Sequence, residues 1–197
     1  MSFTDDDLRH TSFDSRTFTH TDLSNRTLRS VEFDGCTFDA CVLSHTRFDA
    51  CSFADCTFTD CDLTLASVVG TSFDATVFRS CRLMGVDWSG TGLHFDVELV
   101  GCNLDYTSFQ GKTLRGQVFD GCTVVEANFT RTDLRKAVFR DCVLTRASFT
   151  GADLSLADFS TSTDVMFEPA QCKRTHRTRV STGFAIALAE QAGLVVV

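Results

Sequence analysis

Between Cys36 and Leu63 the chain reads CTFDACVLSHTRFDACSFADCTFTDCDL, with a large apolar residue at every fifth position: Phe38, Leu43, Phe48, Phe53, Phe58 and Leu63. Two residues before each stands a small one: Cys36, Cys41, Thr46, Cys51, Cys56 and Cys61. A period of five suits neither common element. On an α-helix of about 3.6 residues per turn it would spread the apolar residues around every side. On a flat strand it would send them alternately to opposite faces. It suits a chain that turns a corner every five residues, so that four repeats close a square coil. The central residue and the small residue two before it then point inward, and the other three face solvent or form the corner. Coils stack with strand-like pairing about 4.8 Å apart.

The five-step runs from Phe3 to Leu93, slips by one residue across 94–98, and resumes from Leu99 to Phe159. Counted this way, 32 central positions make about 8 coils, a rod of roughly 40 Å at one strand spacing per coil. Aligning by coil and correcting for the slip puts like residues in columns. One is Phe18, Phe38, Phe58, Phe78, Leu99, Phe119, Phe139, Phe159; another is Phe13, Phe33, Phe53, Phe73, Leu93, Leu114, Leu134, Leu154. The expected fold class is therefore all-β, a solenoid of stacked square coils over residues 1–162 followed by a short C-terminal helix and strand. The slip is expected to bulge the rod near its middle and to leave Phe95 exposed as a contact site.

Ten cysteines would ordinarily raise disulfides or a metal. Nine of them occupy the small inward position, where a free thiol packs as a small hydrophobe. No zinc spacing is present, and Cys172-x3-His176 is a thin metal signal. No phosphate loop, nucleophile elbow or paired-acid pocket appears. A rod filled with phenylalanine leaves no interior cleft. The expectation is a protein that is not an enzyme and carries no cofactor or metal.

The net charge is −8. Residues 1–97 hold 15 acids against 7 Lys/Arg, residues 98–163 hold 8 against 7, and residues 164–197 hold 3 against 4. An acidic body argues against direct binding of nucleic acid, and it suits a basic protein surface. Asp14, Asp34 and Asp74 each follow the central Phe of one face, stacked in a row, and are the expected partner-binding residues. Farther along that face come Arg115 and Arg135. The Leu-rich face carries outward apolar residues, Leu65, Met84 and Tyr106 among them, a second candidate partner strip.

Beyond Ser162 the repeat fades. Val165, Met166 and Phe167 are expected to plug the last coil, and residues 169–179 read as a basic connector. Ser181 or Thr182 can cap a helix over about 182–192, with Gly193 as its stop. Residues 194–197 read as a terminal strand. Phe184, Leu188, Leu194 and Val196 are the expected interface of a homodimer formed through this end. No apolar run is long enough to span a membrane, and the first residues lack the features of a signal peptide, so the expected location is the cytoplasm.

With motifs such as Ala127-Asn128-Phe129, Ala152-Asp153-Leu154 and Ala157-Asp158-Phe159, the sequence resembles the pentapeptide-repeat family, A-(D/N)-L-x-x, over about residues 1–162, and that resemblance implies a right-handed quadrilateral β-helix of about 8 coils. Its closing segment, Phe184-Ala-Ile-Ala-Leu-Ala-Glu-Gln-Ala-Gly-Leu-Val-Val-Val197, is similar to that of the family's topoisomerase-protecting subgroup, which includes the Qnr, MfpA, albicidin-resistance and microcin B17 immunity proteins. That resemblance implies an acidic dimer that engages DNA gyrase or topoisomerase IV, counters quinolones or peptide poisons, and resembles B-DNA in shape and charge. The unbroken five-step leaves no room for the projecting loops of Qnr-type members. The alternative is a structural or regulatory β-helix that binds another protein.

Overall fold

The computed structural model describes residues 9–92 and 94–196. Phe3, Leu8, Leu93 and Val197 lie outside the described residues. The strands, in chain order, are β1 (Ser12–Asp14), β2 (Thr17–Thr19), β3 (Thr27–Arg29), β4 (Glu32–Asp34), β5 (Thr37–Asp39), β6 (Arg47–Asp49), β7 (Ser52–Ala54), β8 (Thr57–Thr59), β9 (Ser72–Arg79), β10 (Phe95–Val100), β11 (Val118–Asp120) and β12 (Val138–Arg140); helix α1 is Thr182–Gln191.

All strand pairing among the described residues is parallel, and each strand lies against the one a coil away: Phe13 beside Phe33, Phe33 beside Phe53, Phe53 beside Phe73. A square coil four repeats long forces this register of 20, and no other register keeps every central residue inside. The main sheet runs β1-β4-β7-β9-β10-β11-β12, about six turns of continuous pairing. The expected eight coils are reached only by adding isolated bridges such as Asp133↔Asp153 and Val138↔Asp158 at its end.

The core is a set of side-chain ladders. Phe38 stacks on Phe58 with ring centres 4.4 Å apart, and Phe119 on Phe139 at 4.5 Å. Rings on adjoining faces meet edge-on, as Phe129 does Phe139 at 89°. Stacked and edge-on pairs each add about 0.5–1.5 kcal/mol beyond the burial of area. Corners fall at the second residue after each centre, where the backbone turns left-handed: φ is 49° at Ala40, 53° at Asp60 and 62° at Lys136. Each such non-glycine residue costs roughly 1–2 kcal/mol, which the buried ladders offset. At the Gly85 corner φ is 73°, and a Cβ there would also displace the end of the exposed Leu65 side chain.

Corners come in two kinds, and cysteine marks one of them, whereas threonine serves both, since Thr46 and Thr132 donate to the turn-closed carbonyls of Leu23 and Phe109. At some, the N–H three residues past the centre closes a turn onto the central carbonyl, as Ala66 does to Leu63 and Ala137 to Leu134. At the others the centre lies within a strand, and a side chain from the next coil reaches its carbonyl instead. Cys41 Sγ donates to Phe18 O at 3.2 Å, Cys81 Sγ to Phe58 O at 3.4 Å and Cys142 Sγ to Phe119 O at 3.4 Å. All nine repeat cysteines donate in this way to a centre inside a strand. Ala66, Val86, Ala127, Ala137, Ala147, Ala152 and Ala157 each stand above a turn-closed centre, whose carbonyl already has its donor. The cysteines are therefore hydrogen-bond donors as well as small hydrophobes. All are free, and burial pushes the Cys56 thiol up to about 12.

The coil does not end at Ser162. Leu154 N–H donates to Arg174 O and Phe159 N–H to Arg179 O, so most of the expected connector is a further partial coil. Its register is 21 where the preceding rung, Val143↔Thr163, is 20: a second one-residue slip lies between Asp164 and Arg174. That slip hid the last rung from a five-step count. Helix α1 follows, capped by Ser181 Oγ accepting from Phe184 N–H, and ends where Gly193 takes φ 77° and Leu194 N–H returns to Ala189 O. Residues 194–196 are not a strand in the single chain. No helix among the described residues is long and apolar enough to cross a membrane.

Candidate functional site

One face of the rod carries an uneven charge. Its N-terminal half presents Asp14, Glu32, Asp34, Asp55 and Asp74, all exposed. Asp14 and Asp34 are direct partners across β1 and β4. Asp74 pairs with Ala54, which separates it from Asp34, so the expected row is two neighbours and one member a rung apart. Among the described residues no ion pair involves these three carboxylates. Like charges one rung apart raise the free energy of the isolated rod and fall to a cationic partner.

At the middle of the same face the frame slip is built differently from expectation. Phe95 takes the place above Phe73, paired with it at a register of 22 before β10 settles to 21 at Val97. It is half-buried rather than exposed, with ring centres 5.5 Å from Trp88 and 6.4 Å from Phe73. The bulge leaves the next inward small position oversized, and Lys112 fills it. The Lys112 ammonium lies 4.6 Å from the Phe95 ring centre and donates to Thr91 Oγ1. Burial holds the Lys112 pKa below the usual lysine range. Gln117, in the following inward position, donates from Nε2 to Val97 O at 2.9 Å. Gln117 borders a shallow hollow of about 310 Å³ that Phe95 and Arg115 also line. The sequence signal was available: Lys112 and Gln117, like Arg16 and Arg26 near the N-terminal end, are large polar residues at a position the repeat mostly fills with small ones.

Beyond the slip the face turns cationic. Arg115, Arg131, Arg135, Lys136, Lys173 and Arg174 stand on successive rungs with Asp133 and Asp153 between them. Arg135 forks onto Asp133, Nε to Oδ1 at 2.8 Å and Nη2 to Oδ2 at 2.6 Å, and holds that carboxyl below its usual range. Elsewhere arginines are neutralised across rungs, as in Arg82–Asp62 at 3.3 Å, Arg140–Asp120 at 2.9 Å and Arg179–Asp158 at 2.8 Å.

At the C-terminal end Phe167 packs on Phe149 and Phe159, each at 5.9 Å, and Phe184 packs on Phe167 at 4.9 Å. Phe184 therefore pins α1 onto its own rod and does not face outward. Val165 is buried, whereas Met166 is 71% exposed and takes no part in the plug. Leu188 is partly buried against the core, and Leu194 and Val196 are exposed. Between α1 and residues 160–168 lies an open, mainly apolar hollow of about 950 Å³. Among the described residues no three metal-ligating side chains come together, Cys172 and His176 included.

Three solved structures share this architecture along nearly their whole length. All are of QnrB1, a plasmid-mediated fluoroquinolone resistance protein. One trypsin-treated point variant matches with a TM-score of 0.69 at 18% identity, over 96% of this chain and 98% of that one. A second trypsin-treated point variant gives 0.62 at 21% identity, over 96% and 97% of the two chains. Full-length QnrB1 gives 0.65 at 18% identity, over 94% and 99%. No curated protein matches the chain by sequence. The model of the pentapeptide repeat region matches residues 31–109 and 93–176, and with most of its length in that repeat the chain belongs to the pentapeptide-repeat family.

Proposed function

We propose that this protein binds DNA gyrase or topoisomerase IV and modulates it, giving resistance to quinolones or peptide poisons of those enzymes. The observation that carries the reading is end-to-end likeness to QnrB1, a fluoroquinolone resistance protein, over 96% of this chain. The acidic half-face supports it. An enzyme that grips DNA presents basic surface, and Asp14, Asp34 and Asp74, in no ion pair among the described residues, are carboxylates that such a surface neutralises. In this reading the row resembles a strand of DNA phosphates to the enzyme. The rod acts as a binding surface without catalysis, in the cytoplasm, where free buried thiols persist.

The same reading has two rods joined through the C-terminal end. Leu194 and Val196, 63% and 48% exposed, together with Leu188 and the apolar hollow beside α1, form the interface, while Phe184 fixes the helix from beneath. The extended segment 194–196 becomes a paired strand only in the dimer. Leu194→Arg with Val196→Arg is expected to convert the dimer to monomer in analytical ultracentrifugation without changing the fold; a variant that sediments as the wild type does would rule this interface out.

A supercoiling assay tests the function. Purified protein titrated into gyrase is expected to inhibit supercoiling, to relieve inhibition by ciprofloxacin, or both. Absence of both effects favours the second reading, a scaffold for another protein. That reading rests on the exposed apolar corner of Leu65 and Tyr106, 52% and 55% exposed.

A further inference from the structure

We propose that the cationic half of this face binds the phosphodiester backbone of duplex DNA, without reading its sequence. The net charge of the whole chain argues the opposite, but charge acts locally, within a Debye length of about 8–10 Å. Within the C-terminal rungs of the face the cations Arg115, Arg131, Arg135, Lys136, Lys173 and Arg174 stand against Asp133 and Asp153, both engaged from within, while Asp96 and Glu98 line the hollow beside Arg115 at the slip. Asp133 is clamped by Arg135, and Asp153 accepts from Ser155 N–H at 3.1 Å and from Ser155 Oγ at 2.6 Å while lying in the field of Arg174. Among the described residues Arg115, Arg131, Lys136 and Lys173 are in no ion pair, on a rod that elsewhere pairs arginines across rungs.

The shape fits a phosphate. Arg131, Arg135, Lys173 and Arg174 line a hollow of about 180 Å³ together with the carboxylates of Asp133 and Asp153, four cations to two anions. Thr132 and Gly151 complete its lining, which among the described residues holds no apolar or aromatic anchor of the kind that carries protein–protein binding. No aromatic ring among them lines the hollow to stack a base, so the contact is to the backbone alone. The acidic half of the same face repels DNA, so the duplex is confined to the C-terminal rungs and its register along the rod is fixed. The inference stands on charge and geometry and does not require a topoisomerase partner.

The test is fluorescence anisotropy of a labelled duplex of about 15 base pairs, titrated with tag-free protein from about 20 to about 200 mM NaCl. Neutralising three or four phosphates should weaken binding about 40- to 150-fold between about 50 and 200 mM salt. Arg131→Glu combined with Lys173→Glu and Arg174→Glu should lower the affinity at least tenfold; these side chains are exposed, and circular dichroism should be unchanged. Arg82→Glu, paired on another face, should leave binding as it is. Two results would overturn the proposal: no binding of the duplex at the lowest salt, or binding that the triple substitution does not weaken. Binding of a labelled oligo-glutamate as tight as that of the duplex would also overturn it, and would assign the patch to an acidic protein segment.

Discussion

In the N-terminal half of the rod most corners leave from extended strands, β1 to β9, and a cysteine or threonine from the next coil donates to the central carbonyl. In the C-terminal half most corners are closed by a backbone N–H, and alanine stands in the equivalent place, at Ala127, Ala137, Ala147, Ala152 and Ala157. Both halves bury the same kind of ladder, so the difference concerns how one carbonyl per repeat finds its donor. One face of the outer surface divides at nearly the same place, acidic before the Phe95 slip and cationic after it. A repeat protein can hold its core constant while its two halves turn, and bind, differently.

If the core is common to both halves, Phe58→Ala and Phe139→Ala should cost the same. Each ring is stacked on both sides, at 4.4 and 4.8 Å for Phe58 and at 4.5 and 4.7 Å for Phe139. Each loss is expected at about 3–5 kcal/mol by denaturant titration, and a difference beyond about 2 kcal/mol would break the shared-core account. The donor argument predicts a smaller asymmetry. Cys122→Ala, above the strand carbonyl of Leu99, should cost about 1 kcal/mol or more, with Cys122→Ser recovering part of it. Ala137→Ser, above a turn-closed carbonyl that already has one donor, should gain less than that recovery. A gain there equal to the serine recovery would show that the two kinds of corner do not differ.

The slip itself can be probed at Lys112. Burial disfavours its charge, and because its folded pKa is below the unfolded value, that cost is present at neutral pH and is relieved as pH rises through the folded pKa. Lys112→Met should leave the thermal midpoint at pH 7 unchanged or raised and remove that slope. Lys112→Glu, placing an anion over Phe95, should lower the midpoint. The smallest effect is expected at Asp133. Its depressed pKa, caused first by the Arg135 hydrogen bonds, contributes stability above the ordinary carboxylate pKa that is lost as pH falls through the folded value. Arg135→Met should flatten that acid limb in melts between about pH 5 and 2 and leave pH 7 nearly unchanged; an intact acid limb would remove the pair from the account.

The period of five made the fold class legible, because only one geometry buries a residue every fifth position. It did not make the two slips legible in detail. The first moved Phe95 into a column assigned to Leu93, since a bulge can exchange which neighbour points inward at little cost. The second concealed the last rung, where Asp164 and Pro169 interrupt the apolar signal. Of the expected contact residues, Asp14 and Asp34 stand together, Asp74 stands apart, and Phe184 is turned inward by Phe167, a contact between distant parts of the chain that no local pattern encodes. The cationic cluster was half visible as Arg115 and Arg135; Lys173 and Arg174 joined it only once the connector proved to be a coil.

The most direct test of the central claim, that the two halves of one face are different binding surfaces, is surface plasmon resonance of immobilised gyrase against three proteins. These are the wild type, an Asp14→Asn, Asp34→Asn, Asp74→Asn variant, and the Arg131→Glu, Lys173→Glu, Arg174→Glu variant. The account predicts that the wild type binds, that the asparagine variant binds at least tenfold more weakly, and that the glutamate variant binds like the wild type. No binding by the wild type, or equal losses in both variants, would contradict it.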